Sequence, residues 1–190
     1  MDCLTVYHGT TITNCKSIME MKKFNNSVSN ESLFQSIFSR KNTYQWLGDG
    51  VYFWVNNLDI AKYWARMVSE RYEEHAAVIE TQICFENNRC FNLCTEPHRK
   101  LIEELINGLI QKNSEFNDFQ DLPRSEQNKF IGFACDFLFK KGNNMIRDYD
   151  LIYYVFIIDD TRFPPKQTAQ VCIKNDKVIK YDDMVIVWNS

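Results

Sequence analysis

The sequence predicts an α+β fold, and three observations carry that expectation. Apolar runs of strand length stand toward both ends, at Leu4–Tyr7, Val51–Val55 and Val78–Phe85 and again at Leu151–Ile158, Gln170–Ile173 and Met184–Trp188. Between and beside them lie segments with helical apolar spacing, the clearest being Leu101, Ile102, Leu105, Ile106, Leu109 and Ile110. With 190 residues, 45% hydrophobic and 25% charged, the chain can bury a sizeable core in one domain and is too apolar for intrinsic disorder. Repeats, low-complexity tracts and Pro/Gly/Ser linkers are absent, so residues 1–190 read as a single domain.

In chain order, Leu4–Tyr7 is a strand ending at His8-Gly9, and a helix starts near Thr13 with Ile12, Cys15, Ile18 and Met19 on one face. A polar segment follows, anchored by Leu33, Phe34, Ile37 and Phe38. Gly48-Asp49-Gly50 turns into Val51–Val55, whose unbroken apolar character predicts burial on both faces. Asn57 or Asp59 caps the next helix, with Ala61, Trp64, Ala65, Val68 and Tyr72 as its stripe. After strands at Val78–Phe85 and Phe91–Leu93 comes the helix from Pro97, a polar surface loop from Gln111 to Arg124, and a helix over Glu126–Lys141 stopped by Gly142. Leu151–Ile158 reads as a central strand, and Gln170–Ile173, Val178–Tyr181 and Met184–Trp188 complete the set, with Asn175-Asp176 as a turn.

Charge and cysteine content bound the partners. A net charge of −3 supplies no general field for coating a polyanion, which leaves only local cation groups such as Lys22, Lys23, Arg40 and Lys41. No apolar run approaches the roughly 20 residues that span a bilayer, and Met1-Asp2-Cys3-Leu4 has no secretory pattern, so a cytoplasmic protein away from membranes is expected. Seven scattered cysteines suit reduced, buried side chains better than a disulfide framework. Cys90, Cys94 and His98 are evenly spaced, but a strand and a fresh helix start separate them, so no metal is expected.

Three histidines narrow any acid–base site. His75 lies in a charged run and His98 on a polar helix start, whereas His8 follows a strand and precedes Gly9, which lets a ligand approach the backbone. The second cluster, Gly48-x-Gly50-Val51-Tyr52-Phe53, lacks the third glycine and the following helix of a phosphate loop. Read alone, each cluster is equally a polar strand end and a tight hairpin.

Taken together, Tyr7-His8-Gly9-Thr10, Gly48-x-Gly50-Val51-Tyr52-Phe53 and Ala61-x-x-Trp64-Ala65 resemble the ADP-ribosyltransferase superfamily, on its diphtheria-toxin and poly(ADP-ribose)-polymerase-like side. Tyr63 follows Tyr52 by eleven residues, the spacing of that family's second tyrosine, and Gln170 stands in the late strand at the place usually held by Glu. The resemblance implies a split mixed or antiparallel sheet flanked by helices, with NAD⁺ as substrate. It implies His8, Tyr52 and Gln170 as the catalytic set, and His8, Gly9, Thr10, Tyr52, Phe53 and Tyr63 as the NAD⁺-binding set. His8 would bond the adenosine ribose, the Gly9 main chain would pair with the nicotinamide amide, and Tyr52 and Tyr63 would sandwich the ring.

Gln170 departs from the family pattern: an amide can bond a ribose hydroxyl but cannot act as a general base. The resemblance therefore implies mono-ADP-ribosyl transfer rather than polymer elongation, onto nucleic acid or, slightly less favoured, protein. The acceptor brings its own nucleophile, or Asp49 or Glu80 activates it. Small size suits a toxin or phage-defence effector with an inhibitor protein. Three alternatives stay open: a silent NAD⁺- or ADP-ribose-binding domain, an RNA 2′-phosphotransferase whose arginine-rich site is not evident, and a partner of an inhibitor docked on residues 25–45 and 111–124.

Overall fold

A computed structural model describes residues 1–27, 45–113, 124–140, 148–158 and 166–190. Its elements are β1 (Asp2–Thr11), α1 (Ile12–Met21), β2 (Val51–Val55), α2 (Leu58–Tyr72), β3 (Ala76–Phe85), β4 (Cys90–Asn92), α3 (Glu96–Asn113), α4 (Arg124–Lys140), β5 (Leu151–Ile158), β6 (Lys166–Ile173) and β7 (Val185–Asn189). The α+β expectation holds: the strands form one seven-stranded mixed sheet in the order β4-β5-β6-β2-β1-β3-β7, with only β4–β5 parallel.

Local chemistry sets the helix ends. The Thr11 hydroxyl accepts the Asn14 N–H at 3.2 Å to start α1, and Lys22 in the left-handed region ends it. Of the two expected caps for α2, Asn57 takes the role, accepting the Ile60 N–H at 3.3 Å. The segment Val178–Tyr181 is not a strand. Two single 3₁₀ turns, Asp176–Val178 and Tyr181–Asp183, flank an isolated bridge from Ile179 to Ile83, because Asn175 caps the first turn and starts it bending. β5 lies one place in from the β4 edge, and β2 holds the middle of the sheet.

Side chains alternate across the strands, so the sheet separates two cores. One face carries Val6, Phe53, Ile79, Ile83, Val171 and Ile173 against Cys15, Ile18 and Phe24 from α1 and its exit. On the other face, Trp54 and Val78 pack on Ile60, Ala61 and Ala65 of α2, while Ile152, Phe156 and Cys172 pack on Ile102 and Ile106 of α3 and on Phe130 and Ala134 of α4.

The sheet is split along one line. β1 and β3 pair along their whole length, from Asp2↔Phe85 to Thr11↔Ala76, but β1 and β2 share only Val6↔Val55 and Tyr7↔Trp54. Beyond Tyr7 the two strands part.

The cysteine expectation is corrected in one respect. Cys3 and Cys84 are directly opposed across β1 and β3, with Cα atoms 4.2 Å apart, and form a disulfide. A non-hydrogen-bonded antiparallel pair brings side chains close enough for that bridge. The other five thiols are free, and burial pushes Cys15, Cys90 and Cys135 each up to about 12, which keeps them protonated. No helix among the described residues is long and apolar enough to cross a membrane.

Candidate functional site

The parting of β1 and β2 places His8, Gly9 and Tyr52 together. The Asn56 N–H donates to the Thr5 carbonyl at 3.1 Å, so Thr5 and, by alternation, Tyr7 and Gly9 aim their main-chain polar groups at β2. A continuing ladder would join Gly9 to Tyr52. It does not: the Tyr52 carbonyl instead takes the His8 Nδ1–H at 2.8 Å, and further along, Gly50 bonds Ser27 in both directions, at 2.8 and 3.1 Å. The result is a window in the sheet, edged by the Gly9 main chain and the His8 imidazole and closed at its far end by Ser27.

His8 is half-buried, with Phe24 at 5.1 Å and Phe53 at 5.6 Å between ring centroids. Desolvation among these rings holds its pKa below the ordinary value, against the opposing pull of the Tyr52 carbonyl. A carbonyl can only accept, so Nδ1 carries the proton and Nε2 of the neutral ring is an acceptor.

The remaining expected site residues are placed as follows. Gly9 has no room for a side chain: a Cβ would lie 2.2 Å from the Ala61 carbonyl oxygen, so its bare face receives helix α2 while its main chain faces the window. Thr10 is buried, its hydroxyl accepting from Asn14 Nδ2 at 3.2 Å. Phe53 is fully buried beside His8.

Tyr52 points to the opposite face from His8 and Phe53. Its hydroxyl donates to the Gly48 carbonyl at 2.5 Å and accepts the Leu47 N–H at 2.9 Å, tying down the glycine loop. Tyr63 lies on α2 with its ring edge-on to Trp64 at 6.0 Å. Tyr52 therefore enters the site through its carbonyl, and its ring serves the loop.

Gln170 stands level with Trp54 on one side and Tyr154 on the other, on the face opposite His8. It is 6% exposed, and its Oε1 has no hydrogen-bond partner. Native interiors pair nearly all such acceptors, which marks this position out. Glu80 is opposite Tyr7 across β1 and β3 and bonds its hydroxyl. Of the expected cations, Lys22 is paired with Asp182, and Arg40 and Lys41 lie outside the described residues, as do Tyr44 and the anchors Leu33, Phe34, Ile37 and Phe38.

A second feature, unforeseen in the sequence, adjoins the glycine loop. A cleft of about 410 Å³ is lined by Asp49, Arg89, Phe139, Tyr149, Lys174 and Asn175, with Asp136 and Asp150. Lys174 is largely buried and donates to the carbonyls of Leu47 (3.0 Å) and Asp49 (2.5 Å), with the Asp136 carboxylate 3.9 Å away. Arg89 forks onto Asp150 at 2.6 and 2.7 Å, and that hydrogen bonding holds the Asp150 pKa down. These residues are scattered from 49 to 175, so no local motif could have announced them.

His98 Nδ1 takes the Asn92 N–H at 2.9 Å, and its ring stacks on Phe91 at 4.5 Å. His75 is exposed, as expected, with Nδ1 bonded to the Ser190 carbonyl at 2.5 Å.

The chain is 22% identical over 199 aligned positions to an uncharacterized protein of Methanocaldococcus jannaschii, covering 93% of this chain and 85% of that one. No family model matches, and no solved structure matches.

Proposed function

We propose that the chain binds NAD⁺ at the window between β1 and β2 and transfers its ADP-ribose to a macromolecular acceptor. One observation carries the reading: the Gly9 main chain, a donor and an acceptor side by side, faces a break in the sheet beside an oriented, neutral histidine. A carboxamide is complementary to that donor–acceptor pair, and His8 Nε2 can accept from a ribose hydroxyl. In the transfer, a nucleophile on the acceptor bonds to C1′ of the nicotinamide ribose as the bond to the nicotinamide nitrogen breaks. Nicotinamide leaves neutral with that electron pair, and the acceptor's proton passes to solvent. The chain's part is to hold the dinucleotide in a reactive geometry and to stabilise developing positive charge.

The acceptor is nucleic acid or, slightly less favoured, protein, the tilt resting on the local cations Lys22, Lys23, Arg40 and Lys41, of which Lys22 pairs with Asp182. A second reading, NAD⁺ binding without transfer, is favoured by Gln170, which is enclosed and lies on the opposite face from His8. One experiment separates the two. The protein is incubated with NAD⁺ labelled in the adenylate and with separate pools of RNA, DNA and cell protein. Transfer predicts label in one pool, lost in His8→Ala at an unchanged melting temperature. Label in no pool, with NAD⁺ binding retained in wild type and lost in His8→Ala, establishes the second reading; no NAD⁺ binding at all overturns both.

A further inference from the structure

Among the described residues, two buried side-chain polar atoms have no hydrogen-bond partner, the Gln170 amide oxygen and the Trp64 indole nitrogen. One accepts, the other donates, and both belong to one cluster of side chains. Gln170 lies in a row across the sheet, level with Trp54 of β2 and Tyr154 of β5. From Trp54 a run of ring contacts leads round to Tyr154 again. Trp54 stacks on Trp64 with centroids 6.0 Å apart, and Trp64 meets Trp46 at 6.0 Å. Trp46 in turn meets Phe156 at 4.8 Å, and Phe156 meets Tyr154 at 4.7 Å. Gln170 closes this ring of aromatic side chains. Trp54, Phe156 and Gln170 make its buried floor, and Trp46, Trp64 and Tyr154 its half-buried rim. The ring stands on the seam of this sheet face, because Trp46 packs both on the α2 cluster and on the cluster built with α3 and α4.

The neighbouring polar side chain on that face of β6, Thr168, is spent on Asn57, whose Nδ2 donates to its hydroxyl at 3.0 Å. An open donor and an open acceptor in one buried cluster cost stability, and native interiors seldom leave both. Their chemistry restricts what can join them. A carboxylate would face the Gln170 oxygen, a cation would face the Trp64 N–H, and a hydrocarbon would leave both atoms unpaired. A flat, uncharged molecule with an amide on its edge offers one donor and one acceptor, and its faces suit aromatic walls. Sites of this kind, apolar walls with a few convergent polar groups, commonly lie between packed elements. We propose that this ring of side chains binds a small, uncharged, flat molecule carrying an amide, whose N–H donates to Gln170 Oε1 and whose carbonyl accepts from Trp64 Nε1. The site is on the sheet face opposite His8 and stands independently of the reading of the window.

The probe is 2-pyridone, a flat cyclic amide, titrated into the full chain by calorimetry. Beside it run N-methyl-2-pyridone, which lacks only the N–H, and benzoate and toluene. The variants are Gln170→Leu, Trp64→Phe and His8→Ala, each checked by its melting temperature. In wild type, 2-pyridone is expected to bind about tenfold more tightly than its N-methyl form. That preference is expected to vanish in Gln170→Leu, and both pyridones to bind severalfold more weakly in Trp64→Phe. Benzoate and toluene are expected not to bind, and neither His8→Ala nor saturating NAD⁺ to change the affinity for 2-pyridone. The comparison of the two pyridones in wild type needs no variant, so a variant that fails to fold does not remove the test. The proposal is overturned if 2-pyridone does not bind, which leaves water as the partner of the two atoms. It is equally overturned by equal binding of the two pyridones, by a preference that survives Gln170→Leu, or by toluene or benzoate binding as well as 2-pyridone. Loss of binding in His8→Ala, or displacement by NAD⁺, would place the probe in the window and overturn the separate site.

Discussion

At the scale of single residues, Gly9 and Gln170 carry the sharpest consequences. Gly9→Ala places a methyl group 2.2 Å from the Ala61 carbonyl oxygen and 2.9 Å from the Ala65 nitrogen, both main-chain atoms of a helix that cannot yield locally. We expect it to destabilise the protein by about 3 kcal/mol, read as a drop in denaturant midpoint at unchanged slope. Gln170→Leu has the opposite sign. It removes a buried acceptor without a partner and keeps a similar volume, so the ligand-free protein should gain about 1 kcal/mol in the same measurement. A loss of stability there would mean that the Gln170 amide does structural work. His8 sets a pH dependence. Its pKa is lowered in the folded chain, so between its unfolded value of 6.5 and the lower folded one the unfolded chain binds more protons. Stability should therefore fall as pH drops below about 6.5, and His8→Gln should remove that part of the slope in pH-resolved thermal melts.

At the scale of elements, the Gly48–Gly50 loop shows how a short turn is held by distant chain. Gly48 adopts φ +75°, and a Cβ there would meet Asp136 Oδ1 at 2.2 Å. Asp136 accepts the Asp49 N–H at 2.6 Å, Lys174 clamps two loop carbonyls, and the Tyr52 hydroxyl closes the turn from inside. Lys174→Met removes the cation from a pair whose carboxylate side chain is 2% exposed. The expected cost is about 3 kcal/mol by chemical denaturation, because Asp136 is then left buried without that partner charge. The doubled glycine was legible as a turn entering a strand. The residues that hold it were not, since α4 and the end of β6 contribute them from far along the chain.

At the scale of the whole molecule, the sheet behaves as two ladders, β1-β3-β7 and β4-β5-β6-β2, joined by two residue pairs. The Cys3–Cys84 disulfide lies within the first ladder and leaves the junction unstapled. The Gly9 N–H faces the window, whereas the His8 N–H faces β3 along a continuous ladder. Amide hydrogen exchange should therefore be much faster at Gly9 than at His8, and NAD⁺ should slow Gly9 selectively. Equal protection at both amides without NAD⁺ would show that the window is closed.

By itself, the sequence determined where most strands and helices lie, because apolar period and caps act locally: the unbroken run of β2 and the stripe of α2 needed no partner to be read, whereas the short strand expected at Leu4–Tyr7 continues in the structure through His8 and Gly9 to Thr11, because β3 pairs with it along that whole length. It also brought His8, Gly9 and Tyr52 under suspicion through residue type and order. Only the tertiary structure decided what each of them faces. Strand alternation sends His8 and Phe53 to one core and Tyr52 and Gln170 to the other, and register decides that the Gly9 main chain meets a gap instead of a neighbour. The Val178–Tyr181 run, apolar enough for a strand, was turned into 3₁₀ turns by the Asn175 cap and the lone bridge to Ile83. The cleft was invisible for the same physical reason: its lining converges from five separate stretches of chain, and convergence is a property of packing, not of any local pattern.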